Sequence, residues 1–187
     1  MKETRSVLIG AGGHARVVLD AMRSRGLTLP EFALDAAKAG SLLDGVPVSG
    51  GDELLPALSG KGITHFVMGI GGQGNSPLRL RLWTRAVDCG LAPLAILHSS
   101  AIVSESAVIG SGVQILAGAV VNAGARIGCG VIVNTAAVVE HDCTVGNFSH
   151  IAPKGCLGGG VQLGENSHVG IGAVIREYRI IGRGVLV

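Results

Sequence analysis

The chain has 187 residues, with 15 Lys and Arg against 13 Asp and Glu, and it is 48% hydrophobic but only 3% aromatic. This length fits one or two small domains, and a net charge of +2 lacks the basic excess expected of a nucleic-acid-binding or membrane-surface protein. The longest uncharged stretch, residues 106–125, is broken by glycines and polar residues, and too few apolar residues precede Gly10 for a signal peptide. Four cysteines without a CxxC pattern indicate free thiols. We therefore expect a cytoplasmic protein without nucleic-acid partners or membrane insertion.

The first elements are predicted to be a strand, a glycine loop and a helix. Ser6–Ile9 is a short apolar run, Gly10–Ala15 reads GAGGHA, and Arg16–Arg25 is predicted as a helix. Such a loop lets backbone amides and a helix N-terminus approach a phosphate. Asp35 follows a possible strand over 31–34 and lies about 20 residues on, as in dinucleotide-binding folds. These residues indicate either a nucleotide site or a tight turn that simply requires glycine.

The remaining N-terminal elements complete a small α/β domain. A third strand is predicted over His65–Ile70, a helix over Pro77–Cys89 and a last strand over Leu94–Leu97. We interpret the arginines of this helix as a solvated face. These elements predict a Rossmann-like domain over residues 1–96, which is short for a full two-half Rossmann domain.

A six-residue repeat fills the second half of the chain. From Val103 to Val187, every sixth residue is Val, Ile or Leu at fifteen consecutive positions, and mostly small side chains lie two residues before them. Period six fits neither a helix nor a plain strand, so it predicts a triangular prism in which each hexapeptide forms one side. Residues eighteen apart then stack at about 4.8 Å, the spacing of neighbouring strands. Glycine often follows the aliphatic residue, as at Gly146, where we expect a corner with positive φ.

Polar residues that break the repeat are most frequent in Val138–His150. His141 lies between Glu140 and Asp142, and a neighbouring carboxylate stabilises imidazolium and suits a histidine to general-base chemistry. A surface histidine in a charged turn is the alternative. Because Gly159 lies eighteen residues after His141, a glycine amide is expected one coil above the imidazole, where it could stabilise an oxyanion.

A second pair of histidines has the same spacing. His150 and His168 are eighteen residues apart and are expected to stack on the same edge of the prism. They would line a ligand groove or form part of a metal site. We favour the groove and predict no metal.

Three segments carry a family resemblance: IGAGGHARVV at the start, LHSSAIVSESAVIG at the junction, and NTAAVVEHDCTVGNFSHIAPKGCLGGGVQLG in the prism. Together they resemble the sugar O- and N-acetyltransferases of the hexapeptide-repeat acyltransferases, which include sialic acid O-acetyltransferase-like proteins and bacterial nucleotide-4-amino-sugar N-acetyltransferases. The resemblance implies a left-handed parallel β-helix over residues 97–187. It also implies acetyl-CoA as co-substrate, a nucleotide-activated amino-sugar held by residues 1–96, and a homotrimer with active sites between subunits.

The resemblance also implies roles for individual residues. His141 matches the general base, Asp142 the carboxylate that raises its basicity, Asn134 a polar residue near the site, and Gly159 the oxyanion glycine. Two positions match contacts to acetyl-CoA: His150 and Ile171. Five positions match those that hold the nucleotide sugar: Gly12, Gly13, His14, Asp35 and Gly71.

The implied reaction is direct attack of the sugar amine on the thioester while His141 removes a proton. One alternative is O-acetylation of a sugar hydroxyl, as on sialic acid, with the same base and co-substrate. A zinc carbonic anhydrase on this prism would need three converging histidines, and His150 lies half a coil from His141. A non-catalytic trimeric scaffold that binds a nucleotide sugar has no need of the carboxylates on either side of His141.

The sequence departs from the family pattern in three places. Ala36 follows Asp35 where some members have a second acid, so the nucleotide is not identified. The chain stops at Val187, where members usually add coils and a tail that helps to hold the cofactor, so we expect a truncated form with weakened acetyl-CoA binding. Arg179 occupies a small-residue position, which predicts an irregular coil there.

Overall fold

The computed structural model describes residues 4–72 and 77–187. Within these residues the chain divides into two compact units, one formed by residues 4–71 and 77–94 and the other by Gly72 with residues 95–187. The first is an α/β unit and the second is a parallel β-solenoid. No helix in the described ranges is long and apolar enough to cross a membrane.

The first unit is built on a four-stranded parallel sheet with strand order β2-β1-β5-β6. The strands of the unit, including the antiparallel pair β3 and β4, are β1 (Ser6–Ile9), β2 (Ala33–Leu34), β3 (Leu42–Leu43), β4 (Val46–Pro47), β5 (His65–Met68) and β6 (Ala92–Pro93). The two α-helices are α1 (Gly13–Ser24) and α2 (Pro77–Asp88). Three short 3₁₀ helices span Ala36–Lys38, Asp52–Ala57 and Ser59–Lys61.

The local sequence explains the elements around the glycine loop. All four residues of β1 are buried, as expected of a strand covered on both faces. Helix α1 buries residues at helical spacing, among them Ala15, Val18 and Met22. It begins at Gly13 rather than at the predicted Arg16. Gly12 is the N-cap, and residues 13–15 at the end of the glycine loop already form the first turn of the helix.

The second unit is a prism of three five-stranded parallel sheets, each strand pairing with the strand eighteen residues further on. Sheet I contains β7 (Ile96–Leu97), β10 (Gln114–Ile115), β13 (Ile132–Val133), β16 (His150–Ile151) and β19 (His168–Val169). Sheet II contains β8 (Ile102–Val103), β11 (Val120–Val121), β14 (Val138–Val139), β17 (Cys156–Leu157) and β20 (Val174–Ile175). Sheet III contains β9 (Val108–Ile109), β12 (Arg126–Ile127), β15 (Thr144–Val145), β18 (Gln162–Leu163) and β21 (Ile180–Ile181). The corners between consecutive sheets form edges I–II, II–III and III–I.

The repeat predicts the core of the prism correctly. The second residue of each strand points inward, and Val121, Val139 and Leu157 are completely buried. The small residues that precede the strands, such as Ala119 and Ala137, fill the tight corners of the same core. The irregular coil predicted at Arg179 is wrong: its carbonyl accepts a regular inter-coil hydrogen bond from Gln162, and its exposed side chain does not enter the core.

Glycine at the corners is needed for a different reason from the predicted one. On edge III–I, glycine occupies the first corner position in all five coils, at Gly110, Gly128, Gly146, Gly164 and Gly182. None of these has a positive φ, which occurs two residues later in each corner. A Cβ at Gly146 would instead lie 2.5 Å from the backbone nitrogen of Glu165 in the next coil. In the first four coils the glycines therefore permit close approach of the next coil, whereas the nearest atom to a Cβ at Gly182 is 3.8 Å away.

Candidate functional site

Edge II–III carries a histidine paired with a carboxylate. The corner after β14 places Asp142 in the left-handed region, with φ 57°, a conformation that aspartate tolerates better than most side chains. Its Oδ2 lies 3.0 Å from Nδ1 of His141. Because a carboxylate only accepts hydrogen bonds, Nδ1 carries the proton and Nε2 carries the lone pair. The side chain of His141 is 52% exposed.

Gly159 lies directly against this imidazole. A Cβ at Gly159 would be 2.4 Å from Nε2 of His141, so only glycine leaves room for the ring in this position. The Gly160 N–H donates to the carbonyl of His141 at 2.9 Å and joins the two coils. The Gly159 N–H has no hydrogen-bond partner among the described residues. The edge therefore presents a base and an unengaged amide donor in successive coils.

Glu140 is fixed beside His141 by two neutral donors. Asn122 donates from Nδ2 to Oε2 of Glu140 at 2.9 Å, and the backbone N–H of His141 donates to the same oxygen at 3.3 Å. Sequence reasoning missed Asn122, although it lies eighteen residues before Glu140 and the coil spacing could have identified it. Burial, and to a smaller degree the Glu140 carboxylate, raises the pKa of Cys156. This thiol therefore stays protonated, which disfavours it as a nucleophile.

A second polar cluster lies on sheet I and edge I–II. His150 donates from Nδ1 to the carbonyl of Gly72 at 2.6 Å, and its Nε2 accepts from Nδ2 of Asn134 at 3.0 Å. Both ring nitrogens are therefore engaged, and the residue as a whole is only 7% exposed. This arrangement fixes the side-chain amide of Asn134 at the corner.

The two histidines stack as the spacing predicts, but they lie in the strands of sheet I and not on an edge. His150 and His168 pair in neighbouring strands, with ring centroids 4.8 Å apart and ring planes almost perpendicular. Burial lowers the pKa of His168, and its buried Nδ1 has no partner in the described part of the chain. Across residues 4–72 and 77–187, no group of three or more His, Cys, Asp or Glu side chains could hold a metal ion.

The predicted catalytic and acetyl-CoA residues lie on two edges of one prism, except His150, which lies in β16 of sheet I. His141, Asp142 and Gly159 lie on edge II–III, whereas Asn134 and Ile171 lie on edge I–II, and Ile171 is 79% exposed. Sheet II lies between these edges. The outward residues of sheet II form an apolar column: Ile102, Val120, Val138, Cys156 and Val174.

In the first unit, the five predicted nucleotide-sugar residues line one cavity of about 440 Å³. They are Gly12, Gly13, His14, Asp35 and Gly71. The carboxylate of Asp35 accepts the N–H of Ala11 at 3.3 Å, which holds it beside the loop. The ring of His14 lies 3.3 Å from the position that a Cβ of Gly71 would take.

The loop glycines leave space for a ligand. Gly10 has φ 98°, and an added Cβ would collide with Ile70, so the fold itself requires that glycine. Gly12 and Gly13 have no atom within 4 Å of an added Cβ and no positive φ. Neither packing nor conformation therefore requires them. Sequence reasoning missed Lys38, which donates to the Ala11 carbonyl at 2.6 Å and lines a second cavity of about 260 Å³ behind the loop.

Both units of the chain resemble known proteins. The PglD N-terminal domain family matches residues 6–85. The acetyltransferase domain of PglB from Neisseria gonorrhoeae is 37% identical, with a TM-score of 0.90, and the match covers 98% of this chain and 87% of that one. PerB from Caulobacter crescentus, solved with CoA and GDP-perosamine, is 37% identical, with a TM-score of 0.71 and 98% and 88% coverage. A GDP-perosamine N-acetyltransferase of Escherichia coli O157:H7 is 26% identical over 175 residues, which are 91% of this chain and 77% of that protein.

These similarities define the class of protein. The solenoid is a left-handed β-helix of the acetyltransferase type. The chain belongs to the sugar N-acetyltransferases of the hexapeptide-repeat family, which are acetyl-CoA-dependent acyltransferases. The PglB domain has also been solved with acetyl coenzyme A, and that structure is 38% identical to this chain.

Proposed function

We propose that this protein transfers the acetyl group of acetyl-CoA to the amine of a nucleotide-activated 4-amino-sugar. The observation that carries the proposal is the His141–Asp142 pair lying against Gly159, whose N–H has no partner among the described residues. A half-exposed histidine with its lone pair on Nε2, beside an unengaged amide donor, suits attack on a thioester carbonyl.

In the proposed mechanism, Nε2 of His141 takes a proton from the amine as the nitrogen attacks the thioester carbon. Asp142 keeps the imidazole in the tautomer that has its lone pair on Nε2 and stabilises the imidazolium that forms. The Gly159 N–H donates to the carbonyl oxygen as that oxygen gains negative charge. Transfer is direct, since the raised pKa values of Cys143 and Cys156 disfavour a thiolate.

The acceptor is proposed to bind through residues 1–96. The space at Gly12 and Gly13 lets the backbone approach a phosphate at the start of α1, whose first turn contains no acidic residue. Asp35 is suited to accept hydrogen bonds from ribose hydroxyls. His14 and Gly71 complete this site, and residues 97–187 form the acyltransferase domain.

The active protein is proposed to be a homotrimer with active sites between subunits. The apolar outward column of sheet II offers a surface for a second copy of the chain, and it is flanked by both polar edges. Asn134 is proposed to complete the site of a neighbouring subunit. Ile171 is proposed to contact acetyl-CoA directly, and His150 to act through the Asn134 amide that it holds. We place the reaction in the cytoplasm, as the co-substrate and the free cysteines indicate.

Release of free CoA tests this proposal. Wild type and His141→Ala are compared with acetyl-CoA and a panel of UDP- and GDP-linked 4-amino-sugars, beside sialic acid. We expect turnover of one amino-sugar nucleotide and a loss of about 10²-fold or more in the variant. Turnover of sialic acid alone would identify an O-acetyltransferase. No turnover of any acceptor, despite binding of a nucleotide sugar, would support a non-catalytic scaffold.

A further inference from the structure

We propose that Glu140 selects an amine-bearing acceptor over a hydroxyl-bearing one by presenting an unneutralised carboxylate beside the His141 base. The inference rests on the proposed acetyl transfer. Glu140 is half-buried at the corner of edge II–III, adjacent to His141 in the chain. Its Oε2 accepts hydrogen bonds from Asn122 and from the backbone of His141, so the carboxylate is held in one place.

No cationic side chain of the described residues pairs with the carboxylate in that place. Both of its hydrogen-bond donors are neutral. Glu177, two coils above His141 on the same edge, is different because Arg176 pairs with it at 3.7 Å. A fixed anion without a counter-ion beside a catalytic base is available to attract a cationic substrate group.

An amine acceptor supplies that cation. Amines near electron-withdrawing groups titrate at about 8, as α-amino groups do, so at pH 7 the acceptor binds mostly as ammonium. The ammonium loses one proton to solvent, and the neutral amine attacks the thioester carbon. His141 takes the second proton as the C–N bond forms, and this proton goes to the sulfur of CoA as it leaves. A hydroxyl acceptor is never cationic and gains nothing from Glu140.

The chain provides a matched control for this carboxylate. Asn147 donates to Glu165 across one coil at 3.3 Å, as Asn122 does to Glu140, but this pair lies on edge III–I, away from His141. Glu140→Gln and Glu165→Gln therefore remove the same charge from the same type of inter-coil contact. A glutamine side-chain oxygen can still accept from either asparagine.

The test uses the full chain and the amino-sugar nucleotide that wild type turns over. The 4-hydroxy counterpart of that substrate serves as a competitive inhibitor. At pH 7 and low salt, we expect Glu140→Gln to raise KM for the amine roughly tenfold with kcat little changed, as loss of one half-exposed charge contact predicts. The inhibition constant of the hydroxyl compound stays the same. Glu165→Gln matches wild type in both measurements, and thermal unfolding checks that all three proteins are folded.

Three results would overturn the inference. An equal loss for amine and hydroxyl compounds would give Glu140 no role in discrimination. A fall in kcat alone would make it a positioning residue that acts through the His141 N–H. An equal effect of Glu165→Gln would trace the change to the net charge of the protein. If wild type acetylates no amine, the proposed function itself fails, and that result is distinct from all three.

Discussion

Replacing Gly159 with alanine should abolish most of the activity while leaving the fold intact. The added Cβ would lie 2.4 Å from Nε2 of His141, whereas an ordinary contact needs about 3.4 Å. The imidazole must therefore move by about 1 Å. Because this ring is the exposed end of a flexible side chain, it can move without disturbing the core. A misplacement of 1 Å at a reacting group costs on the order of 10²-fold in rate.

The neighbouring glycine provides the control. A Cβ at Gly158 would meet the backbone nitrogen of Glu177 at 2.7 Å, and a backbone atom in the stacked coils cannot move aside. We expect Gly158→Ala to lower the free energy of unfolding by roughly 1–3 kcal/mol. We expect the free energy of unfolding of Gly159→Ala to stay within about 0.5 kcal/mol of wild type. Residue 159 has no positive φ, and the three atoms nearest to the added Cβ all belong to the exposed ring of His141.

CoA release at saturating acetyl-CoA and acceptor, together with urea unfolding, separates the two effects. The Gly159→Ala protein keeps the backbone N–H at residue 159, so its loss of rate reports on the imidazole. Activity within threefold of wild type in a stably folded Gly159→Ala protein would refute the reasoning, because the base would then not need its place against residue 159.

Three other outcomes follow from the same geometry. Gly146→Ala should destabilise the prism by about 1–3 kcal/mol in urea unfolding. Gly182 lies at the equivalent corner, but an added Cβ there is 3.8 Å from the nearest atom, so Gly182→Ala should be neutral or slightly stabilising. Equal effects of the two substitutions would contradict the close-approach argument. Asp142→Asn should lower kcat about tenfold or more, because an amide does not stabilise the His141 imidazolium as a carboxylate does. An unchanged pH–rate profile in this variant would count against a role of Asp142 in stabilising the imidazolium. Burial lowers the pKa of His168 below 6.5, so the unfolded chain binds the proton more readily than the folded chain. The free energy of unfolding should therefore decline as pH falls below about 6.5. His168→Leu should flatten this dependence of stability on pH, and an unchanged dependence in the variant would point to another group.

Regular spacing explains what the sequence predicts well. An eighteen-residue coil places Gly159 over His141 and His168 beside His150 without any knowledge of side-chain contacts. The same spacing predicts that Asn134 and His141 lie on different edges, because they are seven residues apart and each side of the prism is six residues long.

Other features depend on contacts that no periodic pattern contains. The hydrogen bond from His150 to Gly72 joins residues 78 positions apart, and the approach of Lys38 to the glycine loop depends on a short 3₁₀ helix. The glycines of edge III–I are visible in the sequence. The reason for four of them, backbone atoms within 3 Å of the missing Cβ, appears only when the coils are stacked, and Gly182 is the exception. For the same reason the sequence predicts positive φ at the wrong corner position.

The residues of edge II–III come from three successive coils, which contribute Asn122, His141 and Gly159 in turn. In a solenoid each coil is stabilised mainly by its neighbours, so the ends open more readily than the middle. Asn122, His141 and Gly159 lie in interior coils. If edge II–III is the site of acetyl transfer, as proposed, loss of activity on heating reports the melting of these coils. Heat inactivation should therefore coincide with melting of these interior coils.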